Sequence, residues 1–101
     1  MYATVRRYEM GAGSRGAAAV PELMRRCEEK FIPLISKLEG FVSYYAVDAG
    51  DGRIASISIF ETEAGADEGN KVAKQFWKDT LSGMLQANPQ VTSGAVLAHT
   101  P

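Results

Sequence analysis

FVSYYAVDAGDGRIASISIF, Phe41 to Phe60, contains two runs rich in β-branched and aromatic residues, separated by Ala49-Gly50-Asp51-Gly52. Gly- and Asp-rich tips of this length join antiparallel strands, so the segment is predicted to be a β-hairpin. In its first run, Phe41, Tyr45 and Val47 alternate with Val42, Tyr44 and Ala46, leaving apolar side chains on both faces. A sheet wetted on one side would instead alternate apolar with polar residues, so both faces of this one are expected to be covered.

Upstream of the hairpin, Val20, Leu23, Met24, Cys27, Phe31, Leu34, Ile35 and Leu38 recur at the spacing of one helical face, and Gly40 closes the helix. Pro21 suits a first turn. Pro33 lacks an N–H and crowds the carbonyl of residue 29, which predicts a kink or break there. Before this helix, YATVRRYE from Tyr2 to Glu9 reads as a strand, and GAGSRG from Gly11 to Gly16 as a loop. That loop lacks the Gly-Lys-Ser/Thr ending of a phosphate loop and is expected to be mobile at a pocket mouth.

Downstream, Thr62, Glu63, Asp67 and Glu68 favour a helix start, and Val72, Ala73, Phe76, Leu81, Met84 and Leu85 mark an amphipathic helix. Asn88 and Pro89 stop it. VTSGAVLAH, Val91 to His99, is predicted to be the last strand, with Val91, Ala95 and Leu97 on one face. The order is therefore βαββαβ, a ferredoxin-like α+β fold with a four-stranded antiparallel sheet and two helices on one face. Two helices cover only one side of such a sheet, so a second copy packed on the other, a homodimer through the sheet face, is the economical expectation.

At 101 residues the chain is expected to form a single domain, 1–101. Eleven Lys and Arg against twelve Asp and Glu, without a dense basic cluster, argue against a nucleic-acid partner. An RNA-recognition module shares the βαββαβ order but needs exposed aromatics beside basic residues on its central strands, where ASISIFE offers serines and isoleucines. MYATVRRYEM carries charge too early for a signal peptide, and no membrane association is expected, so a cytoplasmic location is. Cys27, the lone cysteine, excludes an intrachain disulfide and a thiolate-rich metal site.

YATVRRYE, then LEGFVSYYAVD, then ASISIFETEAGADE and a helix bearing QFW together resemble the antibiotic biosynthesis monooxygenase-like group of the dimeric α+β barrel superfamily. The resemblance implies sheets packed in a dimeric barrel, with a pocket between sheet and helices. Its function classes include cofactor-free monooxygenation of a small aromatic or phenolic substrate, and also members with no known activity. Haem-degrading members have an asparagine early in strand 1, a tryptophan on helix 2 and an iron-binding histidine. Here only Trp77 matches, strand 1 has no asparagine, and His99 is nearly terminal, so neither haem nor any other cofactor or metal is expected.

Oxygenation without a cofactor needs an apolar pocket, a donor for a developing oxyanion and a route to the substrate carbanion. Arg7, Trp77 and His99 are the catalytic candidates; Arg6, Tyr8, Tyr45, Phe60 and Phe76 are the candidates for substrate binding. Arg6 and Arg7 are consecutive on a strand, so they point to opposite faces and one must enter an interior. An anion clamp and an ion pair with Glu61 or Asp48 are the two readings of that arginine. A non-catalytic module that binds a small apolar ligand, or a protein partner, is the competing reading, and enzymatic activity is left open.

Overall fold

The computed structural model describes residues 1–10, 18–81, 83–84 and 88–100. The loop reading of GAGSRG and the placement of Leu85 lie outside these. Four strands form one antiparallel sheet: β1 (Tyr2–Glu9), β2 (Phe41–Gly50), β3 (Arg53–Phe60) and β4 (Gln90–Ala95), in the order β2-β3-β1-β4. The βαββαβ order holds. The hairpin closes through Asp51 and Gly52, both in the left-handed region with φ of 53° and 75°, as a tight two-residue turn requires.

The register sorts the side chains. Tyr2 pairs with Phe60, Thr4 with Ser58, Arg6 with Ser56 and Tyr8 with Ile54, and these buried or half-buried residues share the helix-covered face. Ala3, Val5 and Arg7 share the other face with Ile59, Ile57 and Ala55. A bulge between Phe41 and Ser43 inserts an extra residue on β2. It corrects the grouping of Phe41 with Tyr45 and Val47: Phe41 meets Phe60 on the covered face, while Tyr45 and Val47 stand exposed on the open one.

The first helix does not break at Pro33. It runs as α1 (Val20–Arg26), a π-helical turn (Cys27–Phe31) and α2 (Ile32–Ile35). The Ile32 N–H reaches back five residues to the Cys27 carbonyl, so the wide turn absorbs the crowding that proline imposes on the preceding turn. Leu23, Cys27, Phe31 and Ile35 form its buried stripe; Leu34 falls outside it and is exposed. Arg26 ties this helix to the second through a 2.6 Å hydrogen bond to the Thr80 carbonyl.

The second helix, α3 (Glu63–Phe76), continues into another π-helical turn (Trp77–Leu81). Thr62 caps it, its hydroxyl accepting from the Gly65 N–H at 3.1 Å. Gly69 lets α3 approach the sheet: a Cβ there would lie 2.6 Å from Phe60 Cε2. Gly69→Ala is therefore expected to destabilise by about 1–3 kcal/mol through overpacking, outweighing a helix-propensity gain of about 1 kcal/mol. Urea unfolding checks this, and an unchanged midpoint contradicts it.

β4 is shorter than the sequence suggested. Tyr2 pairs with Ala95 and the Val96 N–H bonds the Met1 carbonyl, the last contact of β4 with its neighbour β1. Leu97 lies beyond the strand at 96% exposure, so it does not share a sheet face with Val91 and Ala95, which are themselves exposed. Among the described residues, no helix is long and apolar enough to cross a membrane.

Candidate functional site

The space between sheet and helices holds a charge. Arg6 is 2% exposed, held on β1 with its side chain under α3. Its Nη1 donates to Ser58 Oγ at 3.2 Å and its Nη2 to Asn70 Oδ1 at 2.6 Å. Asn70 Nδ2 lies 3.5 Å from Ser93 Oγ, and Ser93 Oγ and Thr4 Oγ1 are 2.8 Å apart, extending the polar network to β4. Among the described residues, Arg6 makes no ion pair; Glu61 and Asp48, the acids that the sequence offered as partners, do not reach it. Burial pushes the guanidinium down from its ordinary range, with Tyr8 and Tyr44 acting in the opposite direction. A guanidinium starts so far above neutrality that it keeps its proton.

Beside Arg6 lies a cluster of hydroxyl and thiol groups. Tyr8, Cys27, Tyr44 and Ser56 line a cavity of about 10 Å³ together with Phe31, Phe76 and other apolar groups. Cys27 Sγ and Tyr44 Oη are 3.4 Å apart. Ser56 is 1% exposed, and its Oγ has no well-formed hydrogen bond; the Tyr8 and Tyr44 hydroxyls lie near it without the alignment of one. Burial raises the ionisation of both phenols above the ordinary tyrosine range, so at neutral pH they are donors and not bases.

Burial likewise pushes the Cys27 thiol up, only partly offset by Tyr44. Because the thiolate is the reactive form, native Cys27 is expected to react with a disulfide reagent far more slowly than the unfolded chain at pH 8. Equal rates in buffer and in guanidinium contradict this packing.

The residues singled out in the sequence divide between locations. Arg6, Tyr8, Phe60 and Phe76 point into the covered interior, and Trp77 is half-buried against the same core. Phe76 packs on Phe31 with ring centroids 5.1 Å apart, and Phe60 is fully buried against Phe41 and Gly69. Arg7 and Tyr45 stand on the open face, and His99 is exposed in the segment after β4. The structure therefore does not gather Arg7, Tyr45 and His99 with the interior group. Among the described residues, no group of three His, Cys, Asp or Glu side chains is arranged to hold a metal ion.

Ser56, Ser58, Asn70, Tyr44 and Cys27 were not named as site residues from the sequence. Their signal was the alternation in Ser56-Ile57-Ser58-Ile59, which places both serines on one face, opposite the isoleucines. Only the pairing of Arg6 with Ser56 shows that the serines share Arg6's face.

A second, larger cavity of about 380 Å³ lies where β1 and β2 end and β3 and β4 begin. Arg7, Glu9, Arg53, Asn88 and Gln90 supply its polar lining, and Tyr8 and Ile54 line it as well as the inner cavity. Arg7, Glu9, Arg53, Ala55 and Gln90 share the open face, so the sheet, at Tyr8 and Ile54, separates the two spaces.

No family model matches the sequence, and no curated protein matches it. Solved structures do. A monooxygenase from the gene ActVA-Orf6 of Streptomyces coelicolor, in complex with the ligand nanaomycin D, is 18% identical, with a TM-score of 0.72 over 97% of this chain and 92% of that one. SnoaB, a cofactor-independent oxygenase from Streptomyces nogalater, solved as a point mutant, is 11% identical, with a TM-score of 0.67 over 99% and 96%. A dimeric ferredoxin-like protein from an uncultured marine organism is 13% identical, with a TM-score of 0.73 over 100% and 99%. The matching structures also include a protein described as of unknown function. The likeness shows the fold: this chain shares the architecture of structures described as a monooxygenase, a cofactor-independent oxygenase and a dimeric ferredoxin-like protein.

Proposed function

We propose that the protein is a homodimer that binds a small phenolic aromatic between sheet and helices and oxygenates it without a metal or organic cofactor. One observation carries this reading: a fully buried guanidinium with no acidic partner among the described residues. A buried charge is costly unless paired, and a phenolate oxygen would pair it once side chains move aside to admit the ring. Arg6 holds that oxygen. Tyr8, Tyr44 and Ser56 offer further hydroxyls beside it, and Phe76 and Trp77 the aromatic wall.

The chemistry balances with dioxygen as co-reactant. The phenol ionises, and electrons pass from the phenolate to dioxygen as a ring carbon para to the hydroxyl forms a C–O bond. The phenol's proton ends on the peroxide. Loss of water from this hydroperoxide removes the ring hydrogen and leaves a quinone. By stabilising the phenolate, Arg6 favours the form that donates electrons. Oxygen uptake with a panel of phenols and naphthols tests the reading: saturable uptake lost in Arg6→Gln supports it, and binding without uptake overturns the catalytic step.

The likeness to monooxygenases supports this proposal as fold only. One observation favours the non-catalytic reading in which the space is simply filled by side chains: the inner cavity as it stands has about 10 Å³ and admits no aromatic ring unless side chains move.

The dimer rests on the open sheet face. Val5, Ile57 and Ile59 are half-buried there, and Tyr45 and Val47 stand at 56% and 47% exposure without cover. A second copy uses the same patch twice, and one matching structure is a dimeric protein of this kind. Ile57→Lys sets a charge on that patch while leaving the helix-covered core untouched, so folded monomers are expected in light scattering. A stable dimer of the variant removes this face from the interface.

A further inference from the structure

We infer that the inner cavity is a binding site for a single water molecule, held by the hydroxyls of Ser56, Tyr8 and Tyr44. Ser56 carries the argument. Its side chain is 1% exposed and lines the cavity, and its Oγ is a buried polar atom without a well-formed hydrogen bond. A hydroxyl taken out of water costs the folded state its lost hydration, and in native proteins such groups are met by another protein group or by an ordered water. Ser56 pairs with Arg6 on β1 and with Ala46 on β2. Tyr8 and Tyr44, each two residues along those strands, are therefore its diagonal neighbours on the same face, close enough to share one small molecule with it.

Size fixes the occupant. The cavity of about 10 Å³ is at the lower bound for one water, about 10–15 Å³, and leaves no room for a second. The hydrogen-bond count agrees, because a buried water needs about two to four polar partners. Both phenols keep their protons at neutral pH, since burial raises their ionisation. The water accepts from Tyr8 and Tyr44 and donates to Ser56 Oγ, which gives three bonds. Cys27, with Sγ 3.4 Å from Tyr44 Oη, closes one side as a weakly polar wall, and Leu23, Phe31 and Phe76 help close the rest. The water site belongs to the unliganded protein and stands without the proposed reaction.

Oxygen-17 magnetic relaxation dispersion detects waters that stay in a protein longer than it tumbles, and the difference between the wild type and Ser56→Val reads this site alone. Valine puts methyl groups where the hydroxyl and the water meet, so the dispersion is expected to fall by the contribution of about one water. Ser56→Ala gives a second reading, by its sign. It takes a partner from a bound water and is expected to lower the urea midpoint, whereas in a dry cavity it removes an orphaned hydroxyl and raises the midpoint. The alanine variant decides the question even where valine is too bulky for the chain to fold. Equal dispersion in the wild type and a folded Ser56→Val, or a raised midpoint in Ser56→Ala, overturns the inference.

Discussion

Arg6→Met is expected to raise the protein's stability by about 1–2 kcal/mol and to remove its affinity for phenols. A guanidinium at 2% exposure has lost its hydration, and its two hydrogen bonds, to Ser58 and Asn70, go to neutral groups. Methionine fills similar volume without the desolvated charge and adapts its shape to the space. It leaves Asn70 Oδ1 and Ser58 Oγ without their donor, which offsets part of the gain, but Asn70 is only half-buried. The expected outcome is a higher midpoint in urea together with loss of the thermal shift given by phenols. A variant that unfolds more easily than the wild type would make Arg6 a structural residue whose network holds β1 to α3.

Phe60→Ala is expected to cost about 3–5 kcal/mol, more than any other single change proposed for this chain. Phe60 is fully buried, stacks edge-on against Phe41 with centroids 5.7 Å apart, and touches the space above Gly69 that lets α3 lie close. Its removal opens a cavity that the close helix cannot fill without moving off the Thr62 cap. A loss of that size is a large part of the total stability of a small domain, about 5–15 kcal/mol. Denaturant unfolding measures it, and a loss below about 1 kcal/mol would mean that the site collapses freely and that Phe60 does not anchor α3.

These two residues also show what the sequence made legible. β1 and β3 appear with the bounds their patterns predicted, because alternation and flanking Gly residues mark short strands well. The face of Phe41 was not legible, since a bulge shifts the register by a residue that periodicity cannot detect. Nor was the turn at Pro33: proline's missing donor predicts disruption, but whether a helix breaks or widens depends on the packing of Cys27 and Phe31 below it. β4 ends at Ala95, opposite Tyr2 and short of His99, an end that the composition of the segment does not mark.

The candidate site was half legible for the same reason. That Arg6 and Arg7 oppose each other follows from the strand period alone. Which of them is interior follows from the register of β1 with β3, which sets Arg6 beside Ser56 and Ser58. Those serines read as an absence of aromatics in the sequence; in the fold they are the polar lining of a buried space. Asn70 is distant in sequence from Arg6 and reaches it only because α3 crosses the sheet at Gly69.

The central claim is that Arg6 stabilises a phenolate, and the most direct test is the ionisation state of a bound phenol. 4-Nitrophenol, whose anion is coloured, is titrated into the protein at a pH below its own ionisation. A nearby cation favours the charged form, so the bound dye is expected to show phenolate absorption at a pH where the free dye is neutral, and Arg6→Gln is expected to abolish the shift. A bound dye that keeps the neutral spectrum, or a shift that persists in Arg6→Gln, would contradict the account.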